Sequence, residues 1–244
     1  MRFIVIKKRV IFLAAAVALV FAALGAGVSL TDSAQVYLNK TTRKAPIRAV
    51  VTADKYVALT FDLGFEAGNA EAAAAVLKSF EVPATFFAVG LWADENEGVV
   101  KRLSDAGHEI GTHSNTHPHI IKMTDAQMTL ELESSAKTLT RITGKPVELF
   151  RAPFGEYSDK LLAVAGGLGL KTVQWDVDTS EFKTAGAAEM SMKVLSDARP
   201  GSIILLHTDA RAVTEALPLI IEGLRVRGFG FRTVGELLLT AGGA

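Results

Sequence analysis

The chain has 244 residues, 49% of them hydrophobic and 21% charged, which excludes a fully disordered protein and suffices for one large domain with its own core. Its 26 basic residues balance 26 acidic ones, so a strongly basic nucleic-acid binder is excluded and no nucleic-acid partner is expected. Cysteine is absent, leaving no disulfide framework and no cysteine nucleophile; any metal must be held by His, Asp, Glu or water.

The overall balance hides an asymmetry. Arg2, Lys7, Lys8 and Arg9 precede an uncharged run from Val10 to Leu30, and residues 31–244 carry a net charge of −4. At about 1.5 Å per residue, a helix of that length matches the hydrocarbon core of a bilayer. The basic cluster sits on the side that stays cytoplasmic. Residues 1–30 therefore read as a membrane anchor, or as a secretory signal cut near Ala23-Leu24-Gly25. Either reading places the body outside the cytoplasm, membrane-anchored or secreted. Residues 31–52 read as a polar linker and 53–244 as the working domain.

From Tyr56 onward the chain alternates. Strands are expected at 57–61, 84–89, 109–112, 148–151, 171–175, 202–206 and 231–234, where short runs are apolar, β-branched or aromatic. Helices are expected between them: at 70–80, 97–106, from the Thr124…Gln127 capping box to about Thr143, at 158–168, 187–197 and 212–227, with a short last helix at 236–239. The alternation predicts an α/β fold with a parallel sheet. Seven units favour a distorted or incomplete (β/α)7 barrel over a doubly wound sheet.

The reactive side chains fall at strand ends. Asp62 follows the first strand, and His113 and His117 follow the third. Arg151 ends the fourth, Asp176, Asp178 and Glu181 follow the fifth, and His207 ends the sixth. In parallel α/β folds that C-terminal rim is where sites are built. His113 and His117, four residues apart, can meet one divalent ion if they share a helical face. Arg151 can fix a carboxylate through paired N–H donors. His207, with Asp178 or Glu181 at the neighbouring rim, suits a general acid. Phe154, Trp175 and Leu205 can wall an apolar slot. His108 precedes its strand and reads as structural.

Five segments, in this order, resemble the polysaccharide deacetylase family, whose catalytic module is the NodB homology domain of carbohydrate esterase family 4. Thr60-Phe61-Asp62-Leu63-Gly64 is similar to Thr-Phe-Asp-Asp-Gly. His113-Ser114-Asn115-Thr116-His117 is similar to His-(Ser/Thr)-x-x-His. Arg151-Ala152-Pro153-Phe154, Asp178-Thr179-Ser180-Glu181-Phe182 and Leu205-Leu206-His207 resemble Arg-x-Pro-(Tyr/Phe), Asp-x-x-Asp-Trp and Leu-x-His. The resemblance runs from about Tyr56 to Leu239, and 53–90 and 200–218 look nearest to a spore-former branch acting on peptidoglycan.

The resemblance implies a monomeric hydrolase that removes N-acetyl groups from a cell-wall glycan and releases acetate. His113 and His117 would hold a divalent metal, Zn2+ by preference, with Co2+ or Mn2+ as alternatives. Asp62 would act as general base and His207 as general acid, with Arg151 orienting Asp62 and Glu181 orienting His207. Phe154, Trp175, Leu205 and Asp178 would contact substrate. Two positions depart from the pattern. Leu63 stands where the family has a second Asp that usually ligates the metal, so weak metal binding is expected, with the two His completed by water or by another carboxylate such as Glu66 or Asp62. Glu181-Phe182 replaces Asp-Trp. A catalytically silent glycan-binding scaffold of the cell or spore envelope is the alternative.

Overall fold

The computed structural model describes residues 45–64, 68–179, 186–208 and 212–240. The expected anchor at 1–30, linker residues 31–44, and Glu66 and Glu181 lie outside them. Among the described residues no helix is long and apolar enough to cross a membrane.

The sheet is parallel and curled. Its strands are β1 (Tyr56–Leu63), β2 (Thr85–Ala88), β3 (Glu109–Thr112), β4 (Leu149–Phe150), β5 (Lys171–Thr172), β6 (Val177–Asp178), β7 (Ile203–His207) and β8 (Gly230–Phe231). They run in the order β5-β4-β3-β2-β1-β7-β6, with β8 paired to the start of β1. β1 is the longest of these strands and is paired on both sides, Thr60–Leu63 with β2 and Ala58–Asp62 with β7. The architecture is the distorted, incomplete barrel that the alternation predicts, with eight strands among the described residues in place of seven. The extra strand is β6. The strand expected at 171–175 stops at Thr172, and pairing resumes at Val177 against Ile204.

The pleat separates two apolar layers. Leu59, Phe61 and Leu63 of β1 join a large core with the surrounding helices. These are α1 (Ala70–Ser79), α2 (Gly90–Glu95), α3 (Glu97–Asp105), α4 (Asp125–Thr143), α5 (Asp159–Gly167), α6 (Ala187–Asp197) and α7 (Val213–Val226). On the opposite face Ala58, Phe87, Leu149, Val173 and Ile203 pack inside the curl, where Val234 and Leu237 of α8 (Val234–Leu239) plug it. Burying both faces of short parallel strands is what makes them read as apolar runs.

The Thr124/Gln127 capping box forms as the sequence indicates, and Gly144 ends α4 with a left-handed φ of 71°. Residues 46–50, assigned by sequence to the linker, are instead bonded to the sheet. The Ile47 N–H donates to the Thr172 carbonyl at 2.9 Å, the Gln174 N–H to the Ile47 carbonyl at 2.7 Å, and the Val50 N–H to the Gly201 carbonyl at 2.8 Å. This strap ties edge strand β5 to the start of β7.

Candidate active site

Thr60 and Asp62 alternate with the core-facing Leu59, Phe61 and Leu63, so the pleat turns them toward the inside of the curl. Arg151, directly after β4, reaches across to meet them. Its Nη1 donates to Asp62 Oδ1 at 2.8 Å, and its Nη2 to Thr60 Oγ1 at 2.8 Å and to the Gln174 carbonyl at 3.1 Å. The guanidinium is 0% exposed and lies 4.1 Å from the Phe87 ring centroid. Burial alone would push the Asp62 carboxyl up. The Arg151 charge and hydrogen bond, with His113 and His207 adding to them, outweigh burial and hold it below the ordinary carboxylate range.

His113 follows β3 directly. Its Nδ1 lies 2.8 Å from the Arg151 carbonyl, which fixes the ring and leaves Nε2 facing Asp62 Oδ2 at 3.8 Å. His117 brings its ring to 4.9 Å from that of His113, edge on. Burial pushes both imidazoles down, and for His117 the neighbouring His113 adds to it. Both therefore stay neutral near pH 7, the form that donates to a metal.

The loop between the two histidines is strained. Ser114 and His117 have φ of 66° and 58°, a region that non-glycine residues seldom occupy. Glu131 of α4 over-determines it. Its Oε2 accepts from the Asn115 and Thr116 N–H groups at 2.9 Å each, and its Oε1 accepts from Thr116 Oγ1 at 2.8 Å. Sequence reasoning missed Glu131. The signal was present: Met128, Glu131, Leu132, Ser135 and Leu139 share the buried face of α4, and a carboxylate there must have donors to meet. Gly90 is the other support, because a Cβ would come within 2.4 Å of Asn115 Oδ1 and 3.0 Å of the Ser135 backbone.

The second half of the site is on β7 and β6. His207 pairs in register with Asp62, so the two side chains share one rim. Its Nε2 makes no hydrogen bond among the described residues and lies 3.6 Å from Asp178 Oδ1. Asp178 Oδ2 accepts from Trp175 Nε1 at 3.0 Å. Leu205, on the inward face with Ile203 and His207, is 2% exposed. Phe154 is 58% exposed, with a φ of 59°, and its ring sits between those of His117 at 4.7 Å and His119 at 4.4 Å.

Two acids and one histidine of the sequence reading are resolved by this geometry. Asp178 lies at the rim, but Asp176 does not. Asp176 precedes β6 and accepts from Ser202 Oγ and the Ile203 N–H at 2.9 and 2.8 Å, holding the start of β7. His108 is structural as expected, accepting the Ala84 N–H on Nδ1 at 3.2 Å.

His113 Nε2 and the His117 ring are available, and Asp62 Oδ2 is beside the first. Leu63 is fully buried in the outer core and offers nothing. Among the described residues no group of three or more His, Asp or Glu is gathered closely enough to hold an ion alone. The residues fit a metal held by two imidazoles, with water or Asp62 completing the shell.

A family model described as polysaccharide deacetylase matches residues 49–173. The chain belongs to the polysaccharide deacetylase family. It is 36% identical over 191 residues to the peptidoglycan-N-acetylmuramic acid deacetylase PdaA of Bacillus subtilis, covering 77% of this chain and 73% of that protein. It is 32% identical over 194 residues to the peptidoglycan-N-acetylglucosamine deacetylase PgdA of Listeria monocytogenes, covering 80% of this chain but 41% of the relative. Among solved structures, a CE4 family pseudoenzyme of Bacillus anthracis aligns with a TM-score of 0.76 at 30% identity, over 80% of this chain and 69% of that one. A mutant of that pseudoenzyme is described as having restored enzymatic activity. Polysaccharide deacetylases thus share this fold with members that lack activity, and the side chains of the rim must carry any functional conclusion.

Proposed function

We propose that this protein is a metal-dependent hydrolase that removes N-acetyl groups from a cell-wall glycan, peptidoglycan by preference, and releases acetate. The observation that carries the reading is the convergence of Asp62, Arg151, His113, His117 and His207 on one rim, each supported by named neighbours. Relatives named as peptidoglycan deacetylases add to it. The basic, then apolar, N-terminal segment supports placement outside the cytoplasm, anchored or secreted, where such a glycan lies.

A divalent metal held by His113 and His117, Zn2+ by preference and otherwise Co2+ or Mn2+, would polarise the acetamide carbonyl and acidify a water molecule. Everything else falls to the chain's own groups. Asp62 is kept ionised by Arg151 and takes the proton of the attacking water on Oδ2, the oxygen that Arg151 Nη1 does not occupy. A backbone N–H near Phe154, in the left-handed turn, supports the developing oxyanion. His207 passes its proton to the departing amine as the C–N bond breaks. Asp178 orients His207, and Trp175 holds Asp178. Glu181 remains the second candidate for orienting His207. Phe154, flanked by His117 and His119, offers an exposed ring to an apolar sugar face, and Leu205 closes the inner wall.

Leu63 and the pseudoenzyme neighbour favour one other reading, a silent glycan-binding scaffold. The experiment that separates them is acetate release from peptidoglycan fragments and chitooligosaccharides. The full chain is stripped of metal and then supplied with Zn2+, Co2+ or Mn2+, with His113→Ala as control. Release that requires added metal and disappears in the variant supports the hydrolase. Absence of release with metal bound supports the scaffold.

A further inference from the structure

The polar chain behind Asp62 continues past Arg151 and leaves the domain that the sequence delimits. Gln174 is its hub, 1% exposed. Its backbone carbonyl accepts from Arg151 Nη2 at 3.1 Å. Its side-chain Nε2 donates to the Gly155 carbonyl at 2.5 Å. Its Oε1 accepts from Arg48 Nε at 3.1 Å and from Arg48 Nη2 at 3.0 Å. Arg48 belongs to the strap over 46–50, which is pinned at both ends by backbone hydrogen bonds to Thr172, Gln174 and Gly201. The strap passes so close to Gly201 that a Cβ there would come within 1.7 Å of the Val50 carbonyl oxygen.

We propose that Arg48 is a positioning residue for the reaction, acting through Gln174 on the Phe154–Gly155 turn. The inference rests on the deacetylase reading above. The physical reason lies in the asymmetry of a side-chain amide. One end only accepts and the other only donates, so its orientation is set by what faces it. Arg48 has donors alone and draws the amide oxygen, which commits the amide nitrogen to the Gly155 carbonyl. Charge-assisted bonds of this kind are stronger than neutral ones. Without Arg48 the amide oxygen loses both its donors, and the side chain, no longer anchored from behind, holds the Gly155 carbonyl less firmly. The turn it releases contains two consecutive left-handed residues, Phe154 at φ 59° and Gly155 at φ 67°. Such a conformation persists only where its surroundings hold it. Gly155 also packs on Trp175, whose ring lies 3.0 Å from where a Gly155 Cβ would be.

Arg48 is exposed, so its replacement leaves the core intact. The test uses the full chain, its best metal and a peptidoglycan fragment. Arg48→Ala is expected to lower kcat about tenfold with KM within about twofold, a partial loss of oxyanion support. Arg48→Lys, which keeps the charge but not the two-nitrogen contact, restores part of it. In a cycle with Gln174→Met, the double variant is no slower than Gln174→Met alone, because Arg48 acts only through Gln174. A second readout needs no catalysis. In a Trp92→Phe background Trp175 is the sole tryptophan, and Arg48→Ala shifts its emission. A kcat within about twofold of wild type, additive losses in the cycle, or unchanged Trp175 emission overturns the proposal. Should wild type itself release no acetate, the deacetylase reading fails first. The emission shift then decides alone whether Arg48 sets the turn.

Discussion

Asp62 sits where a carboxylate is costly to ionise, yet Arg151 keeps it charged. That opposition is the centre of the site. Asp62→Asn preserves shape and removes the base, so kcat is expected to fall by about 10²- to 10⁴-fold with glycan binding retained, measured by acetate release and by titration with a slowly turned-over fragment. Glu131 works one step back. Glu131→Ala leaves the Asn115 and Thr116 N–H groups without their acceptor. It is expected to cost about 1–3 kcal/mol of stability and to weaken metal affinity about 10- to 100-fold, read by thermal unfolding and metal titration. Unchanged values for both would show that the strained loop holds itself. The residues of the rim were legible because each stands at or just past the end of an apolar run: Asp62 near the end of β1, His113 after β3, Arg151 after β4 and His207 at the end of β7. Thr60 and Gln174 were not, since a threonine or glutamine within a strand region gives no sign of which polar group it will meet.

The elements that carry these residues are short, and their reach depends on close packing. α2 approaches α4 and the His113–His117 loop at Gly90, whose N–H donates to the Ser114 carbonyl at 2.9 Å. Gly90→Ala forces Asn115 or α4 to move. A lower Tm together with weaker metal binding is expected, and an unaltered metal isotherm would argue against this coupling. The long elements could be read in advance. The Thr124…Gln127 pair marks the start of α4, and the apolar runs of β1 and β7 mark two interior strands of the sheet. α2, β6 and the strap escaped for one reason. Six residues, two residues and a five-residue segment are too short to establish a period, and their pairing is decided by partners distant in sequence.

Across the molecule, the candidate catalytic groups collect at one end of the sheet, while the opposite end contains a half-buried acid of its own. Glu109, at the start of β3, accepts from Thr85 Oγ1 and the Gly235 N–H, each at 2.9 Å. Burial pushes its carboxyl up from the ordinary 4.5, Glu236 and Glu148 push the same way, and the two hydrogen bonds oppose them only in part. The folded state therefore holds this proton more tightly than the unfolded one. Stability falls as pH rises from the ordinary value through the raised one, and the loss persists above it. Glu109→Gln keeps an acceptor for both donors and removes the charge. It is expected to unfold at a higher temperature than wild type near pH 7 and at a similar one near pH 4, whereas parallel pH profiles would show that Glu109 carries no such penalty. The barrel class was legible from the alternation of strands and helices, but whether Leu63 silences it was not, because a missing ligand can be replaced by water or by Asp62. Acetate release from peptidoglycan fragments by the metal-reconstituted full chain decides that question. Release that depends on added metal and is lost in His113→Ala is the expected result, and no release with metal demonstrably bound would contradict it.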